Sequence, residues 1–517
     1  MKKILIVFII LVNSLLFAVN GELTVEEDRM ILKVWGTHAE RGEAQGFLLS
    51  ENILDLFNNY ALAYTFSNNV YVYNQAIQLV ENSFDFEAKY IQEMEGILAG
   101  MEESGADLYN ETLDREFGLS DLKLVNSIID IAAFLSRSDS FQGDFGCSSL
   151  ANWGSSTLED PQLNGDIVIS RLLDWTTHPS LIANSLMIIH EPSEEDEQNW
   201  LSFTYPGLIG GLTGLNEAGV FTELNMGNIS GSTTAPYSPI LLDTRTGLEQ
   251  IDYNNDYVSN ADDIYDSVAD KQHCNGFIIM IANPVVDENP VSYIEVNASG
   301  IERRTITDNS ELQGNNIAST NHFRKLADPI YCYRYENLVE ATVENTRFTI
   351  ERNFSTIASG CGHPGTMMAI QYLPSLDTIK WSTYHDLPAH LETLVPYDIS
   401  ELFESNIVDI SEDHIPSTDL NLHNYPNPFE ISGTSRNAYT TISFDITKRK
   451  TMNTELAIYN CKGQRVKTLV NEQLASGTHT YTWNGTNESN QPVSSGIYFY
   501  KLENEDFTQT KKMLLLK

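Results

Sequence analysis

The sequence predicts an α+β fold, a sandwich of large sheets with interspersed helices, followed by a small all-β module. Three observations carry the prediction. Residues 22–146 hold long stretches whose apolar positions recur at helical spacing. From Cys147 the chain turns to short β-branched and aromatic runs with helical stretches between them, the pattern of large sheets covered by other layers. The charge is divided too: from Asp419 to the end there are 11 Lys and Arg against 9 Asp and Glu, while residues 1–418 hold 20 against 62. Two regions of different character therefore share one chain of 517 residues, long enough for two or three domains.

The elements follow in order. Met1-Lys2-Lys3, the apolar run Ile4–Val19 and the polar Asn20-Gly21-Glu22 make residues 1–21 a secretory signal, with a retained anchor as the alternative. No later stretch approaches about 18 consecutive apolar residues, so no transmembrane segment is expected once the signal is removed. Trp35–Gly46 is a turn punctuated by glycines. Helices are expected over Phe86–Glu102, where Ile91, Met94, Ile97 and Leu98 share a face, and over Asp121–Phe134. Strands are expected at Ile167–Leu173, Ser185–His190, Trp200–Tyr205, Val220–Leu224, Gly276–Ala282, Ser292–Val296 and Met367–Tyr372. Further helices are expected at Ala261–Asp270 and Lys325–Ala341. A polar linker over 411–421 leads to residues 422–517. There the strands Thr441–Ile446, Glu455–Tyr459, Gly477–Trp483 and Ser495–Lys501, with Asn/Gly/Lys turns, read as an immunoglobulin-like sandwich.

Composition excludes some functions. A formal charge of −40 repels nucleic-acid phosphates and anionic lipid. The five cysteines (147, 274, 332, 361 and 461) lack the C-x-x-C spacing of a zinc site, and neither a metal nor an organic cofactor is expected. Their odd number fits one reserved thiol plus up to two bridges of undetermined pairing, which export permits.

The chemistry concentrates at Gly146-Cys147-Ser148-Ser149, followed by Arg171-Leu-Leu-Asp174. A thiol needs a base to become a nucleophile. Were the Gly146–Cys147 bond cut, Cys147 would carry a free α-amine, whose ordinary pKa of about 8 suits that task. Asp174 would then hold the amine, and Arg171 would lie against the thiolate and lower its pKa. This is the arrangement of an N-terminal nucleophile hydrolase, with a structural ion pair and an inert buried thiol as the rival reading. Gly146 leaves the attack on its own carbonyl uncrowded.

Further motifs stand in a fixed order: Gly36-Thr37-His38-Ala-Glu40-Arg41-Gly42, Glu93–Gly100, Gly207–Gly214 with Asn216 and on to Leu224-Asn225, Ser319-Thr320-Asn321-His322, Tyr333-Arg334, and Cys361-Gly-His363. Together with the cysteine junction they resemble the acyl-coenzyme A:isopenicillin N acyltransferase family, related to acid ceramidases and bile-salt hydrolases, over roughly residues 32–395. The resemblance implies a four-layer αββα sandwich and self-cleavage between a helical segment, 22–146, and the hydrolase core of the second chain, 147–410. It implies Asn225 and Asn321 as oxyanion donors and Arg334 as a supporting residue. Turn-stabilising asparagines and a surface arginine are the alternatives. It implies an amide (N-acyl) small-molecule substrate, the acyl group being cleaved or transferred through a Cys147 thioester. Arg171 departs from the isopenicillin N acyltransferases, which carry Asn there, and is more like the bile-salt and ceramide amidases. An acidic insertion, Ser155–Asn164, also lengthens the Cys147-to-Arg171 spacing, placing the substrate edge of the pocket in question.

Residues 422–517, through Tyr425-Pro-Asn-Pro-Phe429, Gly463-Gln-Arg465, Trp483-Asn-Gly485 and Gly496-Ile-Tyr498, resemble the C-terminal sorting domain of type IX secretion. That implies the type IX machinery as a partner and a secreted or surface-attached protein of a Gram-negative cell. Rival functions are an ester or phospholipid hydrolase on the same fold and a non-catalytic surface-binding protein. A Cys/His dyad using His38, His322 or His363 is disfavoured, because the amine already supplies a base. The glycines of 207–214 lack the following Lys-Ser/Thr of a phosphate loop and read as a β-turn near the pocket.

Overall fold

A computed structural model describes residues 19–26, 29–135, 146–227, 234–286, 289–404 and 422–516, the last without 426–428, 431–438, 447–451, 461–463, 475–476, 490 and 505–507. Most of the expected signal and the whole 411–421 linker lie outside the described residues. The chain divides into two compact units, Met1–Asn406 and Ile407–Lys517.

The first unit is a four-layer αββα sandwich. One sheet has nine strands, running from the Gly21–Glu26 hairpin strand through Leu186–Pro192, Trp200–Thr204 and Phe221–Met226 to Gly300–Arg304 at the far edge. The other has six, in the spatial order Asn316–Ser319, Gly146–Asn152, Val168–Asp174, Thr366–Leu373, Thr378–Thr383 and Val395–Asp398. Strands of the two sheets meet over a shared apolar core that includes Leu173, Trp200, Phe221, Ile279, Ile294 and Ile370. Helices His38–Asp55, Ala88–Ser104, Ile240–Glu249 and Ala261–Ala269 cover the nine-stranded sheet; Tyr333–Glu344 and Ile350–Cys361 cover the six-stranded one.

Two of the sequence motifs meet outside the sheets. Thr37 and Glu40 form a reciprocal capping box that starts the His38–Asp55 helix. Gly42 and Gly46 then interlock with Gly96 and Gly100 of the Ala88–Ser104 helix. A Cβ at Gly42 would lie 2.0 Å from the Glu93 carbonyl oxygen, and one at Gly100 2.0 Å from that of Glu43. Beside this seam His38 bonds Glu93 (2.6 Å) and Glu197 (2.9 Å), while Arg245 bonds Glu93 (2.7 Å) and Glu249 (2.7 Å). The network ties residues before position 146 to residues after it. Arg245→Ala removes the guanidinium that Glu93 and Glu249 share, leaving the first to His38 and the second to Lys89, and a loss of about 3 kcal/mol is expected by chemical denaturation.

The structure corrects several expected elements. The helix expected over Asp121–Phe134 is two, Leu119–Asn126 and Ile128–Leu135, broken at Ser127. Asn126 turns its amide away to bond the Gly207 carbonyl and the Ile209 N–H. The helix expected from Lys325 starts only at Tyr333. The Glu295 carboxylate captures the N–H groups of Arg324, Lys325 and Leu326, and Pro329 disfavours helix at the residue before it. Cys147, Cys274, Cys332 and Cys361 are free thiols, so none of them forms the expected bridges; Cys461 lies outside the described residues.

The second unit pairs a three-stranded sheet (His423–Tyr425, Thr440–Ile446, Gly477–Trp483) with a five-stranded one. Its core gathers Phe429, Ile442, Phe444, Ile458, Trp483 and Tyr500.

Candidate active site

Cys147 lies in the second position of the Gly146–Asn152 strand, paired with Leu173, while Gly146 pairs with Asp174. Alternation along the strands sorts the side chains into two faces. Cys147, Ser149, Arg171 and Leu173 point between the sheets; Ser148, Leu172 and Asp174 point toward the helix that carries Arg334. The site therefore straddles one layer of backbone.

On the helix side Arg334 is the hub. Its Nη1 is 3.3 Å from Asp174 Oδ2 and 3.4 Å from the Cys147 carbonyl oxygen, and its Nη2 donates to Asn321 Oδ1 at 2.7 Å. The same Asn321 Oδ1 accepts from the Cys147 N–H at 2.9 Å, and Asn321 Nδ2 donates to the Met226 carbonyl at 2.8 Å. The backbone nitrogen of Cys147 thus faces Asn321 in the uncut chain, with Asp174 one residue-pair away. Burial pushes the Asp174 carboxyl up to about 6 against the pull of Thr366, Arg334, His363 and Arg171.

Between the sheets Arg171 is fixed by Glu223. Its Nε donates to Glu223 Oε2 at 2.9 Å and its Nη2 to the Leu224 carbonyl at 2.8 Å, while Nη1 makes no hydrogen bond among the described residues. Glu223 also accepts from Ser149 at 2.7 Å. Burial pushes the Cys147 thiol up to about 11; Arg171 pulls it down, and Asp174 and Glu223 push it further up. Asn225 is fully buried near Glu223, its Oδ1 unpaired among the described residues and its Nδ2 3.5 Å from Glu223 Oε1.

Of the six residues singled out in the sequence as catalytic, Asp174, Asn321 and Arg334 are bonded together around the Cys147 backbone, while Arg171 and Asn225 meet Glu223 on the opposite face, where the Arg171 charge acts on the Cys147 thiol. Glu223 was missed. Its signal was a carboxylate in an apolar strand, two positions from Asn225 and so on the same face. Asn216 closes its own turn, accepting from Val220 N–H. Of the three histidines considered for a dyad, His38 is committed to Glu93 and Glu197. The Ser155–Asn164 insertion joins the other ends of the cysteine and arginine strands, five residues or about 17 Å of strand from Cys147.

Leu173, the register partner of Cys147, is one wall of an apolar cavity. Its walls include Leu56, Phe57, Ile129, Trp175 and Tyr205, contributed by chain on both sides of the Gly146–Cys147 bond, and it carries no charged residue. Of the 207–214 glycines Gly207, at φ +85°, lines it.

Residues 430–506 match the FlgD Ig-like domain family. The tail is an immunoglobulin-like domain. No curated protein matches the chain. Among solved structures the chain is similar to the Caenorhabditis elegans ortholog of N-acylethanolamine-hydrolyzing acid amidase, at 16% identity and a TM-score of 0.33, over 44% of this chain and 93% of that one. It is also similar to a mutant of the conjugated bile acid hydrolase from Clostridium perfringens, at 9% identity and a TM-score of 0.30, over 49% and 93%. A third similarity is to PorZ, a surface component of the type IX secretion system of Porphyromonas gingivalis, at 10% identity and a TM-score of 0.14, over 68% and 44%.

Proposed function

We propose that this protein is an exported, self-processing cysteine amidase of the N-terminal nucleophile type, related to the isopenicillin N acyltransferase family. The observation that carries the reading is the placing of the Cys147 backbone nitrogen. It sits against Asn321, beside Asp174 and Arg334, while the thiol on the opposite face feels the Arg171 charge and its register partner, Leu173, lines an apolar cavity. A backbone nitrogen set among such polar groups is suited to become a catalytic amine.

In the precursor the Cys147 thiol attacks the Gly146 carbonyl, the C–N bond breaks, and the thiol's proton ends on the nitrogen. Water then hydrolyses the resulting thioester and frees residues 147–517. In the mature protein the α-amine takes the thiol proton, Asp174 and Asn321 orient the amine, and Arg171 favours the thiolate. The thiolate attacks the amide carbonyl of the substrate, the amine departs with the proton, and water or a second amine takes the acyl group from the thioester. Asn321 Nδ2 has a second hydrogen for the tetrahedral oxygen, and Asn225 Nδ2 is the other candidate donor. A cavity without charge fits a hydrocarbon acyl group. A thioester also forms from esters, so matched N-acyl and O-acyl substrates separate amidase from esterase.

The test is the intact mass, with N-terminal sequencing, of residues 22–517 and of Cys147→Ala. Two associated chains, the second beginning at Cys147, are expected only in the unmutated protein. One uncut chain in both removes the catalytic amine and leaves a binding scaffold. For the tail we propose recognition by type IX export; deletion of 422–517 is then expected to hold the protein inside the cell envelope.

A further inference from the structure

We propose that Thr366 and His390 form a hydrogen-bonded proton relay joining the buried carboxylate of Asp174 to solvent, with His390 a positioning residue for the chemistry at Cys147. The relay rests on the reading of Cys147 as the nucleophile. Asp174 is fully buried, and the charged or titratable groups around it are Arg334, Arg171, His363, Cys147 and Cys361. To hold a protonated amine it must ionise, and it needs an exit for its proton.

Thr366 supplies the link. It pairs with Asp174 across the strands, and its Oγ1 lies 2.7 Å from Asp174 Oδ1, 3.1 Å from His363 N and 3.0 Å from His390 Nδ1. A hydroxyl has one proton and two lone pairs, and an ionised carboxylate only accepts. The Thr366 proton therefore goes to Asp174, and its lone pairs take the His363 N–H and the His390 Nδ1–H. This assigns the His390 tautomer and leaves Nε2 as the acceptor atom of a partly exposed residue. When Asp174 is protonated, the hydroxyl turns its own proton to His390 Nδ1 or to the His363 carbonyl at 2.9 Å, so the chain runs in either direction. Each transfer balances. His390 takes a proton from water at Nε2 and gives one from Nδ1 to Thr366 Oγ1, which passes its own to Asp174; the reverse empties the site.

The packing holds the ring in place. A Cβ at Gly362 would lie 2.5 Å from both His390 Nε2 and Cδ2, so the glycine of Cys361-Gly-His363 is the surface on which His390 rests. Burial and the neighbouring His363 both lower the proton affinity of His390, which keeps it neutral and able to accept. The sequence motif thus acquires a role distinct from a Cys/His dyad.

Two readouts test the relay. The first is the pH profile of Gly146–Cys147 cleavage and turnover in Thr366→Val, Thr366→Ser, His390→Asn and the unmutated protein. The second is the titration of His390, followed by exchange of its C2 hydrogen in mass spectrometry. Asn at 390 retains a donor near the Nδ1 position but does not titrate. Thr366→Val and His390→Asn are expected to slow cleavage about tenfold and displace the acidic limb of the profile, with Thr366→Ser restoring both. The His390 titration is expected to move in Thr366→Val. Unmutated protein that cleaves normally, with superimposable profiles and an unmoved His390 titration in the variants, overturns the relay. A His390 titration that moves in a protein uncut and inert at every pH keeps the hydrogen-bonded link and overturns the hydrolase reading instead.

Discussion

Gly146→Ala is expected to leave the chain uncut and to lower activity by about 10²-fold or more. A Cβ at this position would lie 2.6 Å from Arg334 Nη1 and 2.9 Å from Asp174 Oδ2. Neither group moves freely. Arg334 is held by Asn321, and Asp174 by Thr366, inside a layer of strand and helix. Alanine therefore displaces the two groups that face the scissile bond, whereas the same change on an exposed strand would do little. The measurement is the intact mass of the purified variant against time, with circular dichroism to show that the sheets have formed. Cleavage of Gly146→Ala at the unmutated rate would show that Arg334 and Asp174 are not needed where they stand.

The parts of the site legible in the sequence were those whose residue type alone narrows the chemistry. A glycine–cysteine junction, an R-x-x-D pair and ordered Asn and Arg motifs led to residues that the fold gathers. The glycines at 42 and 46 read as turn punctuation and those at 96 and 100 as part of a motif in a helix, with nothing to pair them, because helix contact across 50 residues leaves no local signal. Glu223 stayed hidden for a related reason: its partner, Arg171, lies 52 positions away in the facing sheet. Strand periodicity placed most of the strands it named within two residues of their bounds, but it named fewer than half of those described and missed the Gly146–Asn152 strand itself. Helical periodicity failed where a side chain captures backbone groups over long range, as Glu295 does at residues 324–326, ahead of the helix that starts at Tyr333.

Glu223→Ala is expected to destabilise the protein by about 3–5 kcal/mol and abolish turnover. The carboxylate is fully buried and bonds Arg171 Nε, so its removal leaves a guanidinium between two sheets without a counter-charge. Loss of activity in that variant alone does not separate folding from chemistry. The double variant Arg171→Met/Glu223→Leu does, because replacing both ions with apolar groups of similar volume is often neutral for stability. It is expected to unfold at a denaturant concentration close to that of the unmutated protein while remaining inactive. The double variant loses the Arg171 charge, the largest influence opposing the burial that pushes the Cys147 thiol up to about 11, and with it the smaller upward push of Glu223. Turnover in a stable double variant would assign the Arg171–Glu223 pair to packing alone. Failure of the double variant to recover stability would place the pair among the interactions on which the sheet-to-sheet contact depends.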